Sequence, residues 1–348
     1  MVILVRRNET KCVRVGNLIL GGSEKVYIQS MTTTKTKDVE NTVKQILELE
    51  KLGCDIIRVS VLDSLDALAL KEIKKAIHIP LVADIHFDYK LALLAIEAGV
   101  DKIRINPGNI ASRDNVKLIC EAAKSKGVAI RVGVNAGSLP KDLEPTASNM
   151  IIAAKRNIEI LEENGFYDIV LSLKASDVKL MVEAYKLASE EFNYPLHVGL
   201  TEAGTNYGGL IKGSVAIGSL LLDGIGNTIR VSLTANPSEE IKAAKHILNS
   251  CGLYNNLATL TSCPTCGRIE YDMMPIAKEI EEFLVGVNKN IRVAVMGCVV
   301  NGPGEAKGAN IALCGGKNEA LLYIDGNPTR KIPYENIIKE LKEEILKY

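Results

Sequence analysis

At 348 residues and 47% hydrophobic, the chain is long enough to bury one large core and a smaller one, so two domains are expected. Lys+Arg and Asp+Glu both total 42 and neither end carries a block of like charge, which argues against nucleic acid or an anionic membrane as a partner. No apolar run approaches a membrane span and Met1-Val2-Ile3-Leu4-Val5-Arg6-Arg7 is too short for a signal peptide, so the expectation is a cytoplasmic protein with a small partner, whose eight Cys are not in disulfides.

In chain order, short β-branched runs alternate with amphipathic helical stretches. The period-two and period-3.6 patterns predict strands at Val26–Met31, Asp55–Val61, Leu81–Ile85, Lys102–Asn106, Ala129–Val134, Ile169–Leu173, Leu196–Thr201 and Thr228–Leu233. Helices are predicted between them, among them Val39–Leu52, Tyr89–Ala98, Val116–Lys126 and Asp177–Glu191. Eight such rounds within about 250 residues match a closed (β/α)8 TIM barrel, placed at 1–252. A doubly wound open sheet is the alternative, but it would announce a Gly-rich nucleotide turn after its first strand. Gly21-Gly22 precedes that strand, and Gly208-Gly209-Leu210-Ile211-Lys212-Gly213-Ser214 is not a P-loop. Past Cys251 the pattern becomes strand, turn, helix (Tyr271–Val285), strand (Ile291–Met296), a Gly/Pro loop, strands Asn310–Leu313 and Ala320–Asp325, and a last helix. This predicts a small α/β domain over 253–348.

Within the barrel strands one phase is polar. Arg58 and Ser60 alternate with Ile57, Val59 and Val61; Asp84 and His86 with Ala83 and Ile85; Arg104 and Asn106 with Ile103 and Ile105. The same holds for Arg131, Gly133 and Asn135, for Ser172 and Lys174, and for Arg230 and Ser232. The apolar phase faces the helices, so the polar phase points into the barrel, and most of it falls late, at the carboxyl-end mouth. Four Arg and one Lys gathered against Asp84 call for an anionic ligand, because an uncompensated buried charge costs several kcal/mol. Guanidinium forks match phosphate oxygens, which points to a phosphorylated or diphosphorylated substrate. Taken singly, each arginine could be a strand-end ion pair; the shared phase is what favours a ligand.

The small domain holds Ser262-Cys263-Pro264-Thr265-Cys266-Gly267-Arg268 and, one helix later, Gly297-Cys298-Val299-Val300-Asn301-Gly302-Pro303-Gly304-Glu305. Cys263, Cys266 and Cys298 have metal-ligand spacing, with no fourth Cys or His beside Cys298 to close a structural zinc site. A cubane iron-sulfur cluster on three Cys leaves one iron for an oxygen ligand or a substrate, so a chemically active cluster is favoured over zinc with an unrecognised fourth ligand. Cys12, Cys54, Cys120, Cys251 and Cys314 read as small core residues, and His78, His197 and His246 as structural. Taken alone, Glu305 would be a solvated loop carboxylate and Glu202 a helix N-terminal acid.

The segments Ser262–Arg268 and Met296–Glu305 closely resemble the 4-hydroxy-3-methylbut-2-enyl diphosphate synthase family, as do Gln29–Thr32, Ala83–Phe87, Ile103–Asn109 and Arg131–Asn135. The resemblance spans essentially the whole chain and is to the shorter, two-domain bacterial type. It implies an iron-sulfur oxidoreductase of isoprenoid biosynthesis by the methylerythritol phosphate route. The implied reaction converts 2-C-methyl-D-erythritol 2,4-cyclodiphosphate to (E)-4-hydroxy-3-methylbut-2-enyl diphosphate. By the same resemblance a [4Fe–4S] cluster is held by Cys263, Cys266 and Cys298, with Glu305 as a displaceable oxygen ligand. The substrate set is then Arg58, Asp84, His86, Arg104, Asn106, Arg131, Asn135, Lys174, Arg230, Ser232 and Asn301, with Glu202 handling a substrate hydroxyl or proton. No nicotinamide or flavin fingerprint is present, so flavodoxin or ferredoxin is the implied electron donor. A homodimer is also expected, in which each cluster domain caps the partner's barrel in trans. Two other classes fit the residues by themselves: a phosphate-binding barrel enzyme of the aldolase or pterin-binding kind with a structural zinc domain, and a non-catalytic iron-sulfur carrier.

Overall fold

The structure is a computed structural model that describes residues 5–300, 302–316 and 318–348. It divides into two compact units, Met1–Leu253 and Tyr254–Tyr348, so the division falls one residue later than the sequence suggests. Among the described residues no helix is long and apolar enough to cross a membrane.

The first unit opens with a hairpin, β1 (Val13–Val15) and β2 (Leu18–Leu20), and continues as β3 (Tyr27–Met31), α1 (Val39–Lys51), β4 (Ile56–Ser60), α2 (Ser64–Ala76), β5 (Leu81–Asp84) and α3 (Tyr89–Glu97). Next come β6 (Lys102–Ile105), α4 (Arg113–Lys126), β7 (Ala129–Asn135), α5 (Ala147–Glu163), β8 (Ile169–Lys174) and α6 (Val178–Glu191). The unit ends with β9 (His197–Val198), α7 (Asn206–Leu222), β10 (Thr228–Ile229) and α8 (Pro237–Ser250). The strands pair in the order β8-β7-β6-β5-β4-β3-β10-β9, and a parallel bridge between Leu171 and Leu196 joins the two ends into a barrel. Seven of the eight helices start on a side-chain cap: Asp38, Asp63, Asp88, Ser112, Thr146, Asp177 or Asn236 accepts a free N–H of the first turn. Ser112 is why α4 begins at Arg113 and not at the predicted Val116.

Three expectations are corrected. The seventh and eighth barrel strands are two residues long, not six: beyond them the pairing continues only as single bonds, Arg230 N to Val198 O and Thr201 N to Ala175 O, before Leu233 N turns to Glu240 and Thr234 N to Gly204 O. The β1–β2 hairpin was not anticipated, although Val13 to Leu20 is an alternating run around Gly16-Asn17, with Gly16 at φ +61°. Its Val13, Val15 and Leu20 pack with Tyr27, Ile56, Val82, Ala129 and Val170, the first inward residues of five strands, and so plug the amino-end face. The core reading also fails for Cys12, which is exposed, whereas Cys54, Cys120 and Cys314 are buried.

The second unit is a five-stranded sheet, β11 (Thr259–Ser262), β12 (Arg292–Met296), β13 (Ile311–Gly315), β14 (Glu319–Ile324) and β15 (Asn327–Pro333), paired in that order. The first three strands are parallel and the last two antiparallel. Helices α9 (Met273–Leu284) and α11 (Ile337–Lys347) cover one face; the short α10 (Gly302–Ala306) lies against β13. Strand β15 was also missed: it is an exposed edge with Pro328 and Pro333, a composition that reads as a loop.

Candidate functional site

The mouth of the barrel is built by side chains two residues beyond the plugged tier. Arg58, which follows Ile56 by two on β4, lies 3.7 Å from Asp84 on β5, and Arg104 Nη1 on β6 donates to the same carboxylate at 3.3 Å. Arg104 Nη1 also lies 3.0 Å from His86 Nδ1, and His86 Nε2 is 4.0 Å from Asp84. Burial alone would raise the Asp84 carboxyl, but Arg58, Arg104 and Arg131 outweigh it and hold it below the usual carboxylate range. Arg58 is pulled down to about 10, by burial first and then by its Arg230 and Arg104 neighbours against Asp84, and is still a cation at neutral pH. Gly133 on β7 leaves room for the Arg104 guanidinium: a Cβ there would sit 2.8 Å from Nε, so that side chain would have to shift.

Arg131 is 1% exposed and its Nε and Nη1 have no protein partner, while burial and the cationic neighbours depress both it and Lys174. Asn106 and Asn135 line one cavity of about 290 Å³ with Ser138, Lys141 and Asn157. Arg230 differs from the other arginines: Glu240 of α8 accepts its Nε and Nη2, both at 3.2 Å, and also accepts Ser30 Oγ at 3.0 Å. Ser232 is half-buried just beyond it. Glu202 is exposed with φ +52°, one of two non-glycine residues in the left-handed region among those described, a strain that functional loops tend to store.

Sequence reasoning missed Gln29, Lys102 and Glu240, and it set His197 aside as structural. Lys102 and Gln29 were within reach of the period-two rule, being the inward residues two before Arg104 and Met31. Glu240 carried no signal, since it arrives from a helix outside the barrel. His197 is fully buried in the barrel, with Nδ1 2.8 Å from Thr228 Oγ1.

In the second unit, Cys263 and Cys298 follow the ends of adjacent parallel strands, β11 and β12, held in register by Ser262 opposite Val295. Gly297 N–H donates to Cys263 Sγ at 3.2 Å, so the first and third cysteine loops meet at one carboxyl-end edge, where an open α/β sheet places its ligands. Cys266 is exposed on the turn after Cys263. Glu305 is exposed on α10, which can lie close because Gly302 faces Cys314: a Cβ at Gly302 would be 2.6 Å from its sulfur. Asn301 lies outside the described residues. Among the described residues no three of His, Cys, Asp and Glu gather tightly enough for a single metal ion. A cubane cluster takes its thiolates on separate irons, a wider spacing, and three soft thiols with one carboxylate on neighbouring loops of one sheet edge suit it.

Fold and site together define a (β/α)8 barrel with a cationic mouth whose donors are only partly answered, followed by an α/β domain that gathers cysteines at one sheet edge. The first unit matches the GcpE TIM-barrel domain over residues 10–245 and the second the GcpE protein C-terminal domain over 259–347, so the chain belongs to the GcpE family. It is 57% identical over 347 residues to the 4-hydroxy-3-methylbut-2-en-1-yl diphosphate synthase (flavodoxin) of Exiguobacterium sibiricum, covering 98% of this chain and 94% of that one. It is 58% identical to the enzyme of the same name from Geobacillus kaustophilus, covering 98% and 93%. Among solved structures, dihydropteroate synthase from Yersinia pestis superimposes with a TM-score of 0.51 at 13% identity, over 69% of this chain and 98% of that one, a likeness of fold alone.

Proposed function

We infer that the protein is a 4-hydroxy-3-methylbut-2-en-1-yl diphosphate synthase, an iron-sulfur oxidoreductase that opens a cyclic diphosphate reductively in isoprenoid biosynthesis. The observation that carries this reading is the mouth of the barrel, where guanidinium groups surround a single carboxylate and leave donors free for an anion. The relatives' shared name supplies the reaction. The substrate is read as 2-C-methyl-D-erythritol 2,4-cyclodiphosphate, and ring opening with loss of one hydroxyl as water consumes two electrons and at least one proton.

Arg104 and Arg131, with Arg58, bind the diphosphate and stabilise the charge that grows on it as the ring opens. Asp84 and Glu240 fix the forks: Asp84 braces Arg58 and Arg104, and Glu240 uses two of the three nitrogens of Arg230, leaving Nη1 toward Met31. Lys174, Asn106, Asn135 and Ser232 add donors around the mouth, and Asn301 is read as one more. Glu202, on its strained turn, is read as handling a proton or hydroxyl of the substrate, with His86, against Arg104, as a further such group. Cys263, Cys266 and Cys298 would hold a [4Fe–4S] cluster, with Glu305 as an exchangeable oxygen ligand. Bound there, the cluster supplies single electrons and a Lewis-acidic iron. Flavodoxin, as in the relatives' name, is the proposed donor, with ferredoxin as the other one-electron carrier of that class.

Anaerobic turnover of the cyclic diphosphate with dithionite and a viologen dye tests the reading. Formation of the open-chain diphosphate is expected, and a protein that binds zinc and turns nothing over would end it.

The second unit is read as acting in trans. In a (β/α)8 barrel the helix after each strand runs back from the mouth, so a chain that leaves after the eighth helix starts from the opposite face. A two-fold dimer in which each second unit caps the partner's barrel would bring thiols and arginines together and exclude water. Co-expressing Arg131→Ala with Cys298→Ser is expected to restore turnover that neither variant shows, because one site of the mixed dimer has both halves intact. Proven mixed dimers without recovered turnover would leave a hinged monomer instead.

A further inference from the structure

Below and beside the arginines of the mouth, the barrel carries further buried polar groups, of which the reading above uses only Arg131. Counted from the first inward residue of each strand, Lys102 and His197 belong to the tier that Tyr27, Ile56, Val82, Ala129 and Val170 make apolar against the hairpin plug. Gln29 and Arg131 stand one step higher. All four are at most 1% exposed. Lys102 Nζ, both amide atoms of Gln29, Nε and Nη1 of Arg131 and Nε2 of His197 have no hydrogen-bond partner in the protein. Four residues with this property in one barrel interior are far from the rule that buried polar groups are paired.

Their chemistry indicates what they await. Gln29 Nε2, Lys102 Nζ and two nitrogens of Arg131 are donors, against which the set offers as acceptors only Gln29 Oε1 and one ring nitrogen of His197. No carboxylate bonds to them: Asp84, whose charge favours the Arg131 cation, is engaged by Arg58 and Arg104; Asp101, whose charge favours the Lys102 ammonium, is bonded by Lys74 and Leu81 N–H; and Glu240 is engaged by Arg230 and Ser30. Burial, followed by Arg131 and Arg58, holds the Lys102 ammonium well below its ordinary range, and burial with Arg131, Lys174, Lys102 and Arg58 does the same to the His197 imidazolium. Water balances donors and acceptors but brings no charge. An anion meets both needs at once.

We propose that Gln29, Lys102 and His197, with Arg131 shared between them and the mouth, form a further anion position in the barrel, which takes the anionic oxygens of a phosphoryl group on the inner side of the set at the mouth. The group comes either from the diphosphate of the substrate reaching down, an assignment that rests on the function proposed above, or from free inorganic phosphate. In the first case the position is a specificity device, since it favours a ligand with two phosphoryl groups over one with a single group.

The test is calorimetric titration of the full-length, cluster-loaded protein with inorganic pyrophosphate and with orthophosphate, in the wild type and in Lys102→Met, Gln29→Leu and Arg104→Ala. Lys102→Met is expected to melt at a higher temperature in phosphate-free buffer, because it removes a buried unpaired amine, and to bind pyrophosphate about 10–100-fold more weakly. Gln29→Leu, which changes no charge, is expected to weaken the same binding less, and it decides the matter should Lys102→Met fold poorly. Orthophosphate that competes with pyrophosphate assigns the position to the substrate's own diphosphate; orthophosphate that binds beside saturating pyrophosphate, and is lost in Lys102→Met, assigns it to the free anion. Unchanged affinity for both anions in Lys102→Met and Gln29→Leu would overturn the proposal. If Arg104→Ala alone then weakens pyrophosphate, the mouth keeps its assignment and only the inner position falls; if Arg104→Ala is also silent, the diphosphate reading falls with it.

Discussion

Cys263→Ser, Cys266→Ser and Cys298→Ser are each expected to lose the brown absorbance and most of the iron of the anaerobically purified protein, and with them all turnover of the cyclic diphosphate. A serine hydroxyl stays protonated where a thiol readily gives the thiolate that soft iron prefers, so each substitution removes a ligand outright. Cys263 and Cys298 are expected to be the more damaging pair, because they leave the ends of paired strands β11 and β12 and are pre-positioned by the ladder. Glu305→Ala makes a contrasting case. It leaves three thiols, so much of the iron and absorbance is retained, while turnover falls by on the order of 100-fold or more, as for loss of a group that tunes a metal centre. Iron analysis, visible spectra and anaerobic assays on the four variants decide this. Full activity in any single Cys→Ser variant would end the cluster assignment, and iron loss in Glu305→Ala equal to that in the cysteine variants would make Glu305 a structural ligand.

The second large effect lies in the barrel. Arg58→Ala, Arg104→Ala and Arg131→Ala are expected to weaken binding of the cyclic diphosphate by about 2–4 kcal/mol each while the cluster spectrum stays normal. The order follows from what each guanidinium does without ligand. Arg131 has Nε and Nη1 with no protein partner, so more than half of its donor capacity awaits the anion and its loss costs most. Arg104 shares its Nη1 between Asp84 and His86, and removing it also frees both. Arg58 is expected to cost least, since part of its charge is already answered by Asp84 at 3.7 Å. Titration calorimetry with the cyclic diphosphate reads the affinities and visible absorbance reads the cluster. Variants that lose the chromophore yet keep their affinity would put the arginines at the wrong centre.

Much of this was legible in the amino-acid order because its signals are local. A strand alternates its side chains whatever it pairs with, so the polar phase of Arg58, Arg104 and Arg131 could be read without knowing the barrel that closes around it. Helix starts were written in single residues such as Asp63 and Ser112, and the cysteine spacing in two turns. By itself the sequence determined eight βα rounds, the inward face of most strands, three candidate thiols and the chemical class of the ligand.

The tertiary structure alone decided which of those groups are spoken for. Arg230 carries the same phase as Arg131, yet Glu240 reaches it from α8 and neutralises it, while Arg131 has no such visitor. His197 and Lys102 looked unremarkable in the chain and are enclosed, with His197 Nε2 and Lys102 Nζ unpaired, above a hairpin whose Val13, Val15 and Leu20 shut the floor. Strands β9 and β10 stay short because, after a last bond from Arg230 N to Val198 O, the backbone of the eighth strand turns to Glu240 and Gly204. Pairing, burial and the loss of water depend on residues far apart in the chain, and those are the terms that turn a row of arginines into a site with some cations compensated and others waiting for an anion.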